Sequence, residues 1–238
     1  MEKKDLNLSG AGKMTGGEYR NVKVSGAGKI TSDVVCESMT ISGAVDVDGS
    51  VKADCCKVSG ACQIRGDVKA RELKISGGSS VGGNLEGDKI SMSGGIKVGG
   101  DLKANELRLS GDIRVGSVEC EELKMSGAMR AKGVVNCERC EMELAGKSEM
   151  EELVGSTIRV TADLNNARGI LGNLLGFDRG SLKVEVVEGD DIFLENTTCA
   201  MVRGAQVRIG AGCRIGSVEY TDRLDVHMDA QVEHQVQI

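Results

Sequence analysis

The chain has 238 residues, with 34 glycines, no proline, no tryptophan, two phenylalanines, two tyrosines and a formal net charge of −6. So few rings exclude a core built on aromatic anchors, and with the negative charge they argue against nucleic-acid binding, which draws on basic surfaces and stacked bases. The interior must instead be thin layers of Val, Ile, Leu and Met.

From the N-terminus, Ser-Gly pairs recur at Ser9-Gly10, Ser25-Gly26, Ser42-Gly43, Ser59-Gly60, Ser76-Gly77, Ser93-Gly94, Ser110-Gly111 and Ser126-Gly127, at intervals of 16 or 17 residues. That period is too short for helical-pair repeats and suits a β-solenoid in which each repeat is one coil stacked on the last. Stability in such a stack is roughly a sum of coil and neighbour terms, so the length does not force two globular cores.

With Cys55 to Arg71 numbered as positions 1 to 17 of one coil, the even positions are the inner ones. Position 2 holds Leu6, Val22, Met39, Cys56, Leu73, Ile90, Leu107 and Leu123; position 4 holds Leu8, Val24, Ile41, Val58, Ile75, Met92, Leu109 and Met125. Position 10 runs from Met14 and Ile30 to Val115 and Ala131, and position 14 from Val34 to Val135. Such alternation is the signature of half-buried strands. Position 16 stays small (Cys36, Ala53, Ala70, Gly87, Ala104, Cys120, Cys137), as a narrow triangular interior requires. Glycine at position 6, and often at position 12 (Gly49, Gly66, Gly83, Gly100), marks two corners that need unusual φ or close backbone approach; the third falls near position 17. At ~4.8 Å per strand, eight coils would span about 35 to 40 Å.

Nine cysteines raise the question of disulfides or a metal. There is no signal-peptide pattern and no transmembrane run, which points to a reducing cytoplasm, and most of the cysteines fall in inner columns, where a free thiol acts as a small apolar residue. Cys137-Glu-Arg-Cys140 is a single CxxC without a second pair at zinc-ligand spacing. No metal or cofactor is expected.

Outward positions carry ordered charge. Position 3 has Lys23, Lys57, Lys74, Arg108 and Lys124; position 9 has Lys13, Lys29, Lys97, Arg114 and Arg130; acids from Glu37 to Glu138 gather near the third corner. These columns read as a solvated surface, with an anion-binding face as the functional alternative.

The repeat loosens after Glu138, through Cys140, Met142 and Leu144, then Ile158 and Val160. It returns at Val207 to Tyr220, which copies the layout of Leu107 to Cys120. The expected organisation is a regular β-helix over 5–138 and irregular coils of the same solenoid over 139–232, with a protruding insertion at 164–181. In that insertion Ile170, Leu171, Leu174, Leu175 and Phe177 fall on one side of a short helix, expected to pack on the solenoid's own flank, with a partner or membrane contact as the alternative.

The Ser-Gly coils, the small Cys- and Val-rich core and the lack of a catalytic cluster resemble bactofilins, bacterial cytoskeletal proteins, best over residues 5–138. The resemblance implies an all-β fold, a single-stranded right-handed parallel β-helix with triangular coils of about 17 residues. It also implies end-to-end stacking of subunits into nucleotide-independent filaments, often at the membrane, acting as scaffolds in cell shape, envelope growth or motility.

An open coil end is a strand edge that must be capped or paired, and only four residues precede Asp5. The first coil, with Leu6 and Leu8, is therefore the expected polymer contact, and the C-terminal end is a second candidate. The expected partners are further copies of the chain, with a membrane surface or envelope proteins next, and no nucleic acid or small-molecule substrate. The chain is not expected to be an enzyme. The competing reading is a β-helix acyltransferase, suggested by Ile209-Gly-Ala-Gly-Cys-Arg-Ile215, but the pattern fits one coil only. The histidines such an enzyme would use, His227 and His234, read as exposed surface residues.

Overall fold

In the computed structural model, which describes residues 3–162 and 180–238, every regular element is a β-strand and every pairing is parallel. The chain divides into two compact units, Met1–Gly116 and Ser117–Ile238. This is the parallel β-solenoid that the columns predict.

The first unit contains β1 (Leu6–Met14), β2 (Gly17–Ile30), β3 (Val34–Val47), β4 (Val51–Ile64), β5 (Val68–Ser76), β6 (Ser79–Val81), β7 (Leu85–Val98) and β8 (Leu102–Val115). Each coil lies on the next in the register of the repeat: Leu6 beside Val22, Val22 beside Met39, Met39 beside Cys56, Cys56 beside Leu73, and so to Leu107. A slip by one residue would turn every inner side chain outward, so the apolar columns themselves fix this register. Val22, Met39, Cys56, Leu73, Ile90 and Leu107 are all buried, as are Ile30, Val47, Ile64, Val81, Val98 and Val115 two positions from the next bend.

The structure adds one inner column that the sequence did not make plain. Position 8 holds Gly12, Gly28, Val45, Cys62, Ser79, Ile96 and Ile113, buried from Val45 onward. Where it lacks a side chain, Leu8 takes the space: an added Cβ on Gly12 would meet Leu8 Cδ1 at 2.7 Å. Ser79 Oγ, buried in the same column, has no hydrogen-bond partner among the described residues.

The Ser-Gly pairs form a corner at which the strand bends, without breaking in β2, β3, β4, β7 and β8 and with a break between β5 and β6 at Ser76-Gly77. Gly26, Gly43, Gly60, Gly77, Gly94 and Gly111 have φ of 117, 128, 122, 115, 113 and 107°, a region that side chains rarely adopt. Space forbids them as well. A Cβ on Gly60 would fall on the carbonyl of Gly43, and one on Gly43 on the carbonyl of Gly26.

The glycines at position 12 work differently. Their φ values are ordinary, and what excludes a side chain is the polar residue one coil back: a Cβ on Gly83 would strike Asp67 Oδ1, and one on Gly100 would strike Asn84 Oδ1. Those same oxygens build a ladder. Asp33 Oδ1 accepts from the Ser50 N–H at 2.7 Å, Ser50 Oγ from Asp67 at 3.1 Å, Asp67 Oδ1 from Asn84 at 2.7 Å and Asn84 Oδ1 from Asp101 at 2.9 Å. Each side chain thus caps an amide at the turn of the following coil, where the backbone ladder is interrupted.

The second unit contains β9 (Val118–Ala131), β10 (Val134–Leu144), β11 (Lys147–Val154), β12 (Thr157–Ala162), β13 (Ser181–Leu194), β14 (Thr197–Ile209), β15 (Arg214–Val226) and β16 (Gln231–Gln237). Its inner column runs Leu123, Cys140, Ile158, Ile192, Val207 and Leu224, with an uneven interval between neighbours. The longest step, from Ile158 to Ile192, contains residues 163–179. Ala162, the last described residue before them, pairs with Leu144, which pairs with Gly127 of the Ser-Gly corner; Gly180, the next described residue, precedes Ser181, which pairs with Lys147. The Val207 to Tyr220 segment seats Val207, Ile209, Cys213, Ile215 and Val218 in the core, in line with its likeness to Leu107 to Cys120. Its corner has moved by one residue, with the positive φ of 74° at Gly212.

Two substitutions separate these constraints. Gly60→Ala should lower stability by roughly 3 kcal/mol or more, from φ strain plus the collision with the Gly43 carbonyl, whereas Gly95→Ala, with nothing within 4 Å of the added Cβ, should change the urea midpoint little. Asp67→Ala should cost about 1 kcal/mol and speed hydrogen exchange at the Asn84 amide, while Asp67→Asn retains the acceptor and most of the protection.

Candidate functional site

The first coil presents an edge. β1 pairs with β2 on one side, and no described strand pairs with its other side. Leu6, Leu8 and Met14, which would be buried in an inner coil, are half-buried here. The coil is tied down by Asp5, whose carboxylate accepts two hydrogen bonds from Arg20 at 3.1 Å and one from Asn21 Nδ2 at 2.9 Å. The hydrogen bonds from Arg20 and then Asn21 hold the Asp5 pKa below its ordinary value. The outer side of β1 thus combines unpaired backbone groups with apolar side chains, the two features strand addition uses.

A second edge is β16, which pairs with β15 alone. Val226, Met228, Val236 and Ile238 near it are 39, 92, 46 and 66% exposed; apart from Val35, they are the exposed large hydrophobic residues of the described chain. Exposed apolar surface is therefore concentrated in the terminal coil.

Of the other sequence candidates, Ile170, Leu171, Leu174, Leu175 and Phe177 lie outside the described residues. His227 and His234 are exposed, and His227 Nδ1 accepts a hydrogen bond from the Asp229 N–H at 3.1 Å, a local turn contact. No group of three or more His, Cys, Asp or Glu side chains among the described residues could hold a metal ion.

The nine cysteines are free thiols, seven of them buried and two, Cys55 and Cys120, half-buried. Burial pushes Cys36, Cys199 and Cys213 up to about 11 and Cys62 to about 12, and drives Cys56 higher still. Cys120 is raised by its hydrogen bond with Cys137 and then by burial. For Cys137 the bond with Cys120 acts downward, but the bond with Cys140 and burial outweigh it. These are packing thiols held neutral, the opposite of an activated nucleophile.

The basic columns are only partly free. Lys29 and Arg65 both reach Asp48, at 3.0 and 3.1 Å; Lys124 pairs with Glu122 at 3.1 Å and Arg108 with Glu106 at 3.5 Å. The side chains of Lys57 and Lys74 make no ion pair or hydrogen bond among the described residues. They border a shallow groove of about 520 Å³ on the outer face of β4, β5, β7 and β8, whose other border is the serine column of the Ser-Gly corner.

A stack of parallel coils, open at its strand edges and with neutral thiols in its core, defines a structural repeat protein. Residues 3–86 match the family described as Bactofilin, polymer-forming cytoskeletal. Two curated relatives come from Bacillus subtilis (strain 168). The uncharacterized protein YhbF is 33% identical over 91 residues, 38% of this chain and 35% of YhbF. The uncharacterized protein YhbE is 33% identical over 105 residues, 44% of this chain and 43% of YhbE. The chain thus spans less than half the length of either curated relative. No solved structure matches it. No helix among the described residues is long and apolar enough to cross a membrane.

The thiol environments predict a two-class alkylation pattern. Iodoacetamide at pH 8 should modify Cys55 in the folded protein and reach the other eight, including Cys120 with its thiol tied to Cys137, only in denaturant, as read by intact-mass spectrometry. Because the raised thiols are neutral below their unfolded pKa near 9, their contribution to stability is complete at pH 7 to 8. It is lost as pH rises from about 9 through 11, so the urea midpoint should fall across that window.

Proposed function

We propose that the chain is a self-polymerising cytoskeletal scaffold whose subunits join end to end by strand pairing between open coils, without nucleotide. The observation that carries this reading is the β1 edge, with its backbone groups unpaired and Leu6 and Leu8 half-buried, inside the segment that matches the polymer-forming family. Pairing this edge with a coil of another copy would complete the parallel ladder and bury Leu6 and Leu8 as Val22 and Val24 are buried one coil further in. The apolar residues exposed around β16 give that copy a surface with the same needs. The scaffold acts in the cytoplasm, where unpaired thiols persist, and organises envelope, cell-shape or motility machinery at the membrane face.

Negative-stain microscopy of the purified protein without nucleotide should show filaments one molecule wide. The Leu6→Asp/Leu8→Asp double variant should keep its far-UV dichroism and yield single particles or short oligomers. Discrete monomers or trimers of the unaltered protein at high concentration would contradict the proposal, as would a double variant that polymerises normally.

A further inference from the structure

The groove beside the Ser-Gly corner of the first unit has the makings of an anion site. Along one border stand Lys57, Lys74 and Arg108; along the other, the hydroxyls of Ser59, Ser76 and Ser93. All six side chains are exposed, and neither lysine nor any of these serines uses its side chain in a hydrogen bond or ion pair among the described residues. Arg108 shares Glu106 at 3.5 Å with Lys89, which holds that carboxylate at 2.9 Å. The acids of this face, Glu72 and Glu106, stand on the far side of the cation row from the serines. The groove itself is lined by no carboxylate.

The spacing is set by the fold. Lys57 is the register partner of Lys74, and Ser59 of Ser76, so these donors repeat at the coil rise of ~4.8 Å; Arg108 extends the row two coils further. A row of cations facing a row of hydroxyl donors, running along the stacking direction, matches a linear ligand bearing an anion at each step. Lysine and serine both suit phosphate oxygens, lysine as a point charge and serine as a neutral donor. With no aromatic side chain in the groove there is no platform for bases. A channel bordered on both sides fits one extended chain better than a flat bilayer.

We infer that this groove binds a linear, base-free phosphate polymer, held by Lys57, Lys74 and Arg108 through its anionic oxygens and by Ser59, Ser76 and Ser93 through hydrogen bonds. The site lies on the side of the coils, so it does not depend on polymerisation.

The probe is inorganic polyphosphate with a fluorescent end label, titrated by anisotropy against the full chain over a salt series. Lys57→Ala/Lys74→Ala/Arg108→Ala should weaken binding at least tenfold and lower the slope of log affinity against log salt by about 2, as loss of three phosphate contacts on a flexible polyanion predicts. Lys52→Ala/Lys69→Ala/Lys132→Ala, which removes the same charge from other exposed positions, should change affinity less than twofold. Ser59→Ala/Ser76→Ala/Ser93→Ala, which leaves the charge intact, should weaken binding severalfold at fixed slope. Equal losses in the two cation variants would overturn the proposal, as would no binding by the unaltered protein. Phosphatidylglycerol vesicles that sediment the protein through Lys57 and Lys74 while polyphosphate does not bind would overturn it in favour of a membrane surface. Tighter binding of oligothymidylate than of polyphosphate would overturn the base-free assignment.

Discussion

The first unit depends on one contact repeated from coil to coil, a glycine stacked directly against the carbonyl of the glycine before it. At Gly43 and Gly60 the backbone adopts a φ that excludes side chains, and the neighbouring coil occupies the place a Cβ would need. In the first unit the Ser-Gly pairs of stacked coils coincide, and with them coincident every other column is in register. The apolar columns, the small column at Cys36, Ala53 and Ala70, and the Asp33 to Asp101 ladder all follow from that alignment.

An interior so thin has consequences for chemistry and assembly. No coil buries much apolar surface alone, so stability accrues by addition, and each coil that lacks a neighbour is incomplete. This is why Leu6 and Leu8 remain half-buried at β1 while their counterparts Val22 and Val24 are buried. Burial holds thiols such as Cys36, Cys199 and Cys213 neutral, and the ion pairs of the described residues lie on the outside. Many of those pairs join adjacent coils, as Lys69 does with Glu86 at 2.6 Å; being exposed, each contributes at most about 1 kcal/mol. What the fold offers to the outside is therefore its edges and the ordered rows on its faces.

Much of this was legible because identical chemistry recurs at a fixed interval. The inner columns at Leu6, Leu8, Met14 and Val34 and the corner glycines could be read directly. The column from Gly12 to Ile113 was harder to see because its occupants drift from glycine through valine and cysteine to a buried serine, so no single position carries a hydrophobic signal. The ladder of Asp33, Ser50, Asp67 and Asn84 was hidden for the opposite reason: such residues at a bend look like ordinary surface polarity, and only the coil-to-coil geometry shows what they cap. Past Glu138 the interval varies, and a sequence pattern cannot say whether Ile158 is followed in its column by a near residue or by Ile192. The exposed apolar residues Val226, Met228, Val236 and Ile238 were not legible as such because they are scattered among charged and amide side chains in the sequence.

The central claim is that copies join by extending the ladder of coils. Fibre diffraction of aligned assemblies tests it most directly. Strand pairing across the junction keeps successive strands ~4.8 Å apart along the filament, so the account predicts a strong meridional reflection at that spacing. Filaments with no such reflection, or with strands running along the fibre axis, would contradict it and show that the molecules associate through their sides.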